Sequence, residues 1–272
     1  MAAFRRIPSP ERFPKDWYLP IANPETMNTY ILYAMNRIDL KDLHIVVTGA
    51  SRGIGKSLAE LLHREGAKVS LMARNEADLA AMTERAGRGM IGHAVDLTDL
   101  EGLGAALDVV RGEHGPVDML INNAGIGFYK PFDEYSTAEN QRMVDLNVTA
   151  IAELTKLALP DLKRSSVATV VNVASDIGRR PMPNMALYSA TKHAVAGLTT
   201  SLSMELQPFD VRVLLLNPGL TDSYFGGRSL GDLKPPYALL PEDVADIALF
   251  MITRPHHVSI GEVTVNPMQQ KK

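Results

Sequence analysis

Seven short apolar runs recur along this chain, and most of the segments between them carry apolar residues at helical spacing. The runs are His44–Val47, Lys68–Ala73, Gly89–Val95, Met119–Asn122, Thr169–Val173, Val211–Leu216 and Glu262–Val265. Strands that alternate with helices of this length have to run parallel, because each connection crosses back over the sheet. The crossing helices then cover both faces, which predicts a single doubly wound α/β domain of about seven strands. In such a sheet, ligands bind at the carboxyl ends of the strands, so the loops that follow the strands are the place to look for function.

Composition excludes several alternatives. The chain has 272 residues, 46% of them apolar, and a net charge of -3. That suits one sizeable core and offers no basic stripe for nucleic acid. No apolar run reaches the roughly 18 residues that a membrane span needs, so a cytoplasmic protein is expected. There are no cysteines, which rules out disulfides and thiolate metal sites. The pair His256 and His257 has no further ligand at a suitable spacing, and no metal site is predicted.

Residues 1–40 have a different texture. Prolines and charges break up any secretory apolar core, while Glu11 and Asp16 argue against an organelle leader despite Arg5 and Arg6. From Asn23 a helix is predicted, with Met27, Ile31, Ala34, Met35 and Ile38 on one face. This extension also carries Phe4, Phe13, Trp17, Tyr18, Tyr30 and Tyr33. Exposed aromatics of that density suggest an arm that folds back on its own domain or clasps a second copy, with a peripheral membrane contact as a third option. The remaining domain is assigned to residues 41–272.

The loop after the first strand reads TGASRGIG, Thr48 to Gly55, and leads into a helix with Ile54, Leu58, Leu61 and Leu62 on its apolar side. A flexible turn needs fewer glycines. Gly49 allows a tight turn, Gly53 lets phosphate oxygens approach the backbone, and Gly55 lets the helix pack closely, with Ser51, Arg52 and Ile54 completing the loop. The spacing differs from GxGxxG. The second strand ends LMARNE, with Ala73 where a ribose-binding carboxylate usually stands and Arg74 next to it. Arg52 and Arg74 together suit a ribose 2′-phosphate, which an acid at Ala73 would have repelled.

Later motifs occur in a fixed order. NNAG (Asn122 to Gly125) ends the fourth strand, Asn147 lies in the next helical segment, VNVAS ends the fifth strand at Ser175, and YSATK places Tyr188 and Lys192 four residues apart on one helix face. With TGASRGIG, Asp96–Leu97 and NPG at Asn217 to Gly219, these residues make the chain, over about 41–268, resemble the short-chain dehydrogenase/reductase family. The resemblance implies a Rossmann-type fold and an enzyme. Tyr188 would exchange a proton with the substrate oxygen, its pKa lowered by Lys192 and by the nicotinamide ring. Ser175 would hold that oxygen, Lys192 would also grip the nicotinamide ribose, and Asn147 would order a water beside the lysine. Asp96 and Leu97 would contact the adenine, with a helix cap at Asp96 as the less favoured alternative. Asn123, Ala124, Gly125, Pro218 and Gly219 would line the cofactor NADP(H). Its amide contact stays open between Thr221 and Ser223.

The substrate is less constrained. The segment 221–240 is long enough for a lid, and Tyr224, Phe225, Leu233, Tyr237, Leu239 and Leu240, with Met182, Met185 and Leu187, either line an apolar pocket or pack on the core or a neighbouring copy. The pocket reading predicts an NADP(H)-dependent enzyme that interconverts a hydrophobic ketone or aldehyde and an alcohol. Arg179 and Arg180 keep a 3-oxoacyl-carrier-protein reductase as the alternative. A non-catalytic NADP(H)-binding regulator would have lost Tyr188 or Lys192, and a nucleotide-sugar lyase or epimerase would carry a larger carboxyl-terminal domain. The family implies a homodimer or homotetramer paired through helices at about 139–163 and 188–207.

Overall fold

The computed structural model describes residues 37–269. The arm and its predicted helix lie almost wholly outside the described residues. Arg37 to Leu40 are not helical; Leu40 is buried in the core, and the compact unit that contains the sheet begins at Ile38.

A seven-stranded sheet orders its strands β3-β2-β1-β4-β5-β6-β7, every neighbouring pair parallel. The strands are β1 (His44–Thr48), β2 (Lys68–Ala73), β3 (Met90–Ala94), β4 (Met119–Asn122), β5 (Thr169–Val173), β6 (Arg212–Pro218) and β7 (Glu262–Val265). The helices between them are α1 (Gly53–Arg64), α2 (Glu76–Ala86), α3 (Leu103–His114), α4 (Thr137–Val144), α5 (Ala150–Leu162), α6 (Ala186–Leu206) and α7 (Pro241–Ile252). β1, β4, β5 and β6 are buried along their whole lengths, as expected of strands covered on both faces. At the edges, β3 and β7 alternate instead.

One face of the sheet packs α1 and α7 around Ile45, Val47, Leu71, Ile121 and Leu214, while the other packs α3 and α5 around Val46, Leu120, Val170 and Val213. The chain order reverses between β1 and β4, and the carboxyl ends of β1, β4, β5 and β6 open on that side. A polar chain crosses the core just below. Asn122 donates to Thr155 Oγ1 (3.1 Å) and Asn172 Oδ1 (2.8 Å), and Asn172 donates to Thr199 Oγ1 (2.9 Å). These bonds tie β4 and β5 to α5 and α6, and leaving any member unpaired at such depth costs about 1–3 kcal/mol.

The helix expected at 139–163 is interrupted. Asp145–Thr149 forms a π-helical turn between α4 and α5, and Asn147 is buried inside it. Such turns widen the helix by one residue and re-aim a side chain.

Candidate active site

The turn after β1 is shaped by glycine. Gly49 has φ +64°, and a Cβ there would stand 2.8 Å from Ala124 Cα. Gly53 has φ +56°. Gly55 behaves differently from expectation: a Cβ would strike Gly49 O and the Asn123 amide, so it makes room for the loop after β4 rather than for helix–sheet packing. Asn123 Nδ2 donates to Thr48 O (3.0 Å) and Gly49 O (3.3 Å), and the Asn123 and Ala124 amides donate to Thr48 Oγ1 (3.0 and 3.1 Å). The Asn123 side chain is thus spent on holding the glycine loop. Thr48 is its counterpart, and nothing in the sequence pattern marked its hydroxyl.

Helix α1 begins at Gly53 with no side-chain cap at Arg52 and no acidic residue in its first turn. Its free N–H groups and the positive end of its dipole face the loop, a ready site for an anion. Ser51 is half-buried here, while Arg52 and Arg74 are exposed. Asp96 does not cap α3, whose first turn follows Gly102. Its Oδ1 instead accepts from Thr98 N (3.0 Å) and Thr98 Oγ1 (2.8 Å), an Asx turn, and its Oδ2 lies 3.8 Å from Arg142. Burial opposes the charge, but the Thr98 bonds, Arg74 and Arg142 hold the carboxyl below its usual range. Leu97 beside it is buried.

The second group of residues meets around α6. Tyr188 and Lys192 sit on its inward side and are 6% and 3% exposed. A Cβ on Gly125 would stand 3.4 Å from both Lys192 Nζ and Asn147 Oδ1, which places the NNAG loop, the π turn and the lysine in contact. Asn147 Oδ1 accepts from Ile126 N (2.9 Å), and its Nδ2 donates to Ile126 O (2.8 Å) and Thr191 Oγ1 (3.1 Å). Thr191 donates to Tyr188 O (2.8 Å), so the fourth residue of YSATK joins Asn147 to the tyrosine's turn. Gly178 lets the turn after β5 lie against α6, since a Cβ there would meet Lys192 O at 2.9 Å.

Ser175 caps that turn. Its Oγ accepts from Ile177 N (3.3 Å) and shares its proton between Asp176 Oδ1 (3.3 Å) and Pro218 O (3.4 Å). All three contacts are long, so the hydroxyl is weakly held and can turn to another oxygen. The Tyr188 phenol departs from expectation. Burial pushes its pKa up, Asp176 adds to the rise, and a hydrogen bond with Ser175 opposes both. Lys192 is displaced the other way: burial lowers its pKa to about 8, and Nζ donates to Val173 O (2.9 Å) while standing 5.7 Å from the Tyr188 ring centre.

Above Tyr188, the 221–240 segment divides. Phe225 lies 4.9 Å from the Tyr188 ring, centre to centre, in a cluster with Met143, Met185, Ile126, Phe128, Tyr135, Ile177 and Leu187. Gly127 has no room for a side chain, because a Cβ would run into the rings of both Tyr188 and Phe225. Leu239 packs into the main core instead, and Tyr237, Leu240 and Met182 are exposed. Thr221 Oγ1 donates to Gly219 O (2.9 Å), whereas Ser223 Oγ accepts from Phe225 N (3.4 Å) and lies beside Gly53. Pro218 ends β6 buried, with Gly219 N bonded to Val265 O (2.7 Å). Arg179 is not free for docking, because Glu262 accepts two of its N–H groups at 2.8 and 2.6 Å.

Comparisons with known proteins agree with this arrangement. The short chain dehydrogenase family profile matches residues 43–230. An uncharacterized oxidoreductase of Staphylococcus saprophyticus is 33% identical over 235 residues, 85% of this chain and all of that protein. An alcohol dehydrogenase from the archaeon Thermococcus sibiricus, solved with 5-hydroxy-NADP, superposes with a TM-score of 0.78 at 30% identity, covering 85% of this chain and 98% of that one. A 3-ketoacyl-(acyl-carrier-protein) reductase from Brucella melitensis, solved with NADH, gives 0.78 at 28% identity over 84% and 98%. With the sheet order, the glycine turn and the Ser175, Tyr188 and Lys192 grouping, these matches establish that the chain belongs to the short-chain dehydrogenase/reductase family of oxidoreductases.

Proposed function

We propose that the protein is an NADP(H)-dependent oxidoreductase that interconverts an apolar ketone or aldehyde and the corresponding alcohol. The observation that carries this reading is the meeting of Tyr188, Lys192 and Ser175 beneath an apolar cluster, at the sheet end where α1 offers an uncapped N-terminus. The residues present suit a nicotinamide dinucleotide. The positive-φ glycines bare the backbone for a pyrophosphate, and Gly125, Pro218 and Gly219 would contact the rest of the dinucleotide. Two exposed arginines with no acid at Ala73 favour the phosphorylated form. The likeness to a dehydrogenase solved with an NADP derivative supports that choice, and the reductase solved with NADH is the counterweight.

Hydride transfer is the chemistry a nicotinamide group supplies when bound. The chain's own residues handle the proton. With its pKa raised by burial, the Tyr188 phenol stays protonated at neutral pH and can donate to a carbonyl oxygen. Ser175, loosely bonded, turns its hydroxyl to the same oxygen and orients it. Lys192, with a pKa near 8, stays largely charged at pH 7 and would reprotonate the phenol through solvent beside Asn147. The Phe225, Met185 and Met143 cluster excludes water from the phenol and favours apolar substrates. An acyl-carrier substrate is less favoured, because Glu262 pairs with Arg179 and leaves Arg180 as the exposed cation beside it. Copies of the chain are proposed to pair through α6.

The test is NADPH oxidation followed against ketones, aldehydes, quinones and oxoacyl thioesters. Turnover of apolar carbonyls with NADPH, at least tenfold above NADH, is the expected result. Binding of the cofactor with no turnover on any class would instead favour a regulator.

A further inference from the structure

Three consecutive residues of the 221–240 segment reach both ends of the candidate site. Ser223 Cβ lies 3.5 Å from where a Cβ on Gly53 would stand. The Tyr224 ring centre lies 5.2 Å from the Arg52 guanidinium carbon, and the next ring, Phe225, lies against Tyr188. The segment is anchored immediately before them. Thr221 bridges to Leu239, Asp222 N donates to Leu239 O (2.8 Å), and the buried Asp222 carboxylate accepts from Gly231 N (2.7 Å) and Leu233 N (3.1 Å). Tyr224 is therefore two residues from a fixed point, and its placement over Arg52 is built into the loop.

Arg52 is otherwise uncommitted: among the described residues it forms no salt bridge, and its backbone is extended at the start of α1. A guanidinium has a weakly hydrated face and an edge that carries all five N–H donors in one plane. An aromatic ring on the face leaves the edge free for a phosphate and removes rotamers that point elsewhere.

We propose that Tyr224 is a cofactor-specificity residue: its ring holds the Arg52 guanidinium edge-on toward the ribose 2′-phosphate. Part of the preference for NADP(H) then originates in the loop that also covers Tyr188, not only in the two arginines. The proposal rests on the NADP(H) reading given under Proposed function. Arg74 acts on the phosphate independently, so losing the ring weakens the preference without abolishing it.

The experiment is calorimetric binding of NADPH and NADH to the full-length protein and to Tyr224→Leu, Tyr224→Phe, Arg52→Ala and the Arg52→Ala/Tyr224→Leu double variant. Tyr224→Leu should weaken NADPH about two- to fivefold, the size of one exposed cation–π contact, and leave NADH unchanged. Tyr224→Phe should bind as wild type, because the ring is kept, and Tyr224→Leu should have no further effect once Arg52 is gone. Unchanged or tighter NADPH binding in Tyr224→Leu overturns the proposal, and tighter binding would mean the ring shields Arg52 from the phosphate. Equal weakening of both cofactors overturns it too, as a loop effect unrelated to phosphate. If wild type shows no preference for NADPH, the NADP(H) reading itself falls. If wild type prefers NADPH, and Arg52→Ala but not Tyr224→Leu reduces the preference, only the role of Tyr224 falls.

Discussion

Lys192 costs the fold stability at the point where the proposed chemistry needs its charge. Its ammonium is buried and donates to the Val173 carbonyl, and burial lowers its pKa from 10.5 to about 8. A lysine with a depressed folded pKa binds fewer protons folded than unfolded between those values. Stability from this site is therefore lowest below pH 8 and rises toward pH 10.5. Lys192→Met should keep the packing, raise stability at pH 7 by something on the order of 1–3 kcal/mol, and remove most turnover. Thermal melts at pH 7 and pH 10 check it, since the difference between variant and wild type should shrink at the higher pH. Tyr188→Phe is the companion change. It should keep the fold and cut turnover at least about a hundredfold, as expected for a lost general acid, and a loss under threefold in steady-state assays would remove Tyr188 from that role.

At the scale of single elements, β1 carries a polar device at its start. His44 is buried, with Nδ1 2.8 Å from Gly115 O and Nε2 2.8 Å from Ser70 Oγ, which lies 3.4 Å from His114 Nδ1. A neutral ring that donates from Nδ1 to the carbonyl and accepts the Ser70 proton at Nε2 satisfies every atom. Burial lowers the pKa of His44 against the opposing Gly115 and Pro116 backbone bonds and the charges of Asp118 and Asp161. Burial also lowers His114 and His93, with Glu113 opposing in both, and His44 and Lys68 lower His114 further. Histidines held below 6.5 contribute stability that is fully present above that pH and declines as pH falls through it. The urea midpoint should drop between pH 7.5 and pH 5.5, and His44→Asn, which keeps a donor for Gly115 O, should flatten the decline. An unchanged midpoint across that range in wild type would contradict this account.

For the whole molecule, the two sides of α6 differ in character. Its inward side carries Tyr188, Lys192, Val195 and Thr199, and its outward side exposes Ala190, Ala194 and Gly197, where a Cβ on Gly197 would meet nothing within 4 Å. Small residues in such a row let a second backbone approach closely. If copies pair there, Gly197→Arg should convert the assembly to monomers by light scattering while its circular dichroism stays that of wild type. No change in mass would place the interface elsewhere. Among the described residues no helix is long and apolar enough to cross a membrane.

Much of this was legible in the amino-acid sequence because it rests on local periodicity and on residues that hold their meaning alone. Four of the seven strands have the expected bounds, and the other three differ by one or two residues at one or both ends. Apolar period and glycine positions are set within a few residues of chain, and the Tyr188–Lys192 spacing is a property of any helix. What required the tertiary structure joins parts distant in sequence: Asn123 spent on the glycine loop, Arg179 held by Glu262 83 residues away, Tyr224 over Arg52, and Phe225 on Tyr188. The raised phenol pKa belongs with these. The spacing alone puts a lysine one helical turn from the phenol, 5.7 Å from its ring, but the folded chain removes water from around both groups, and that desolvation raises the phenol's pKa.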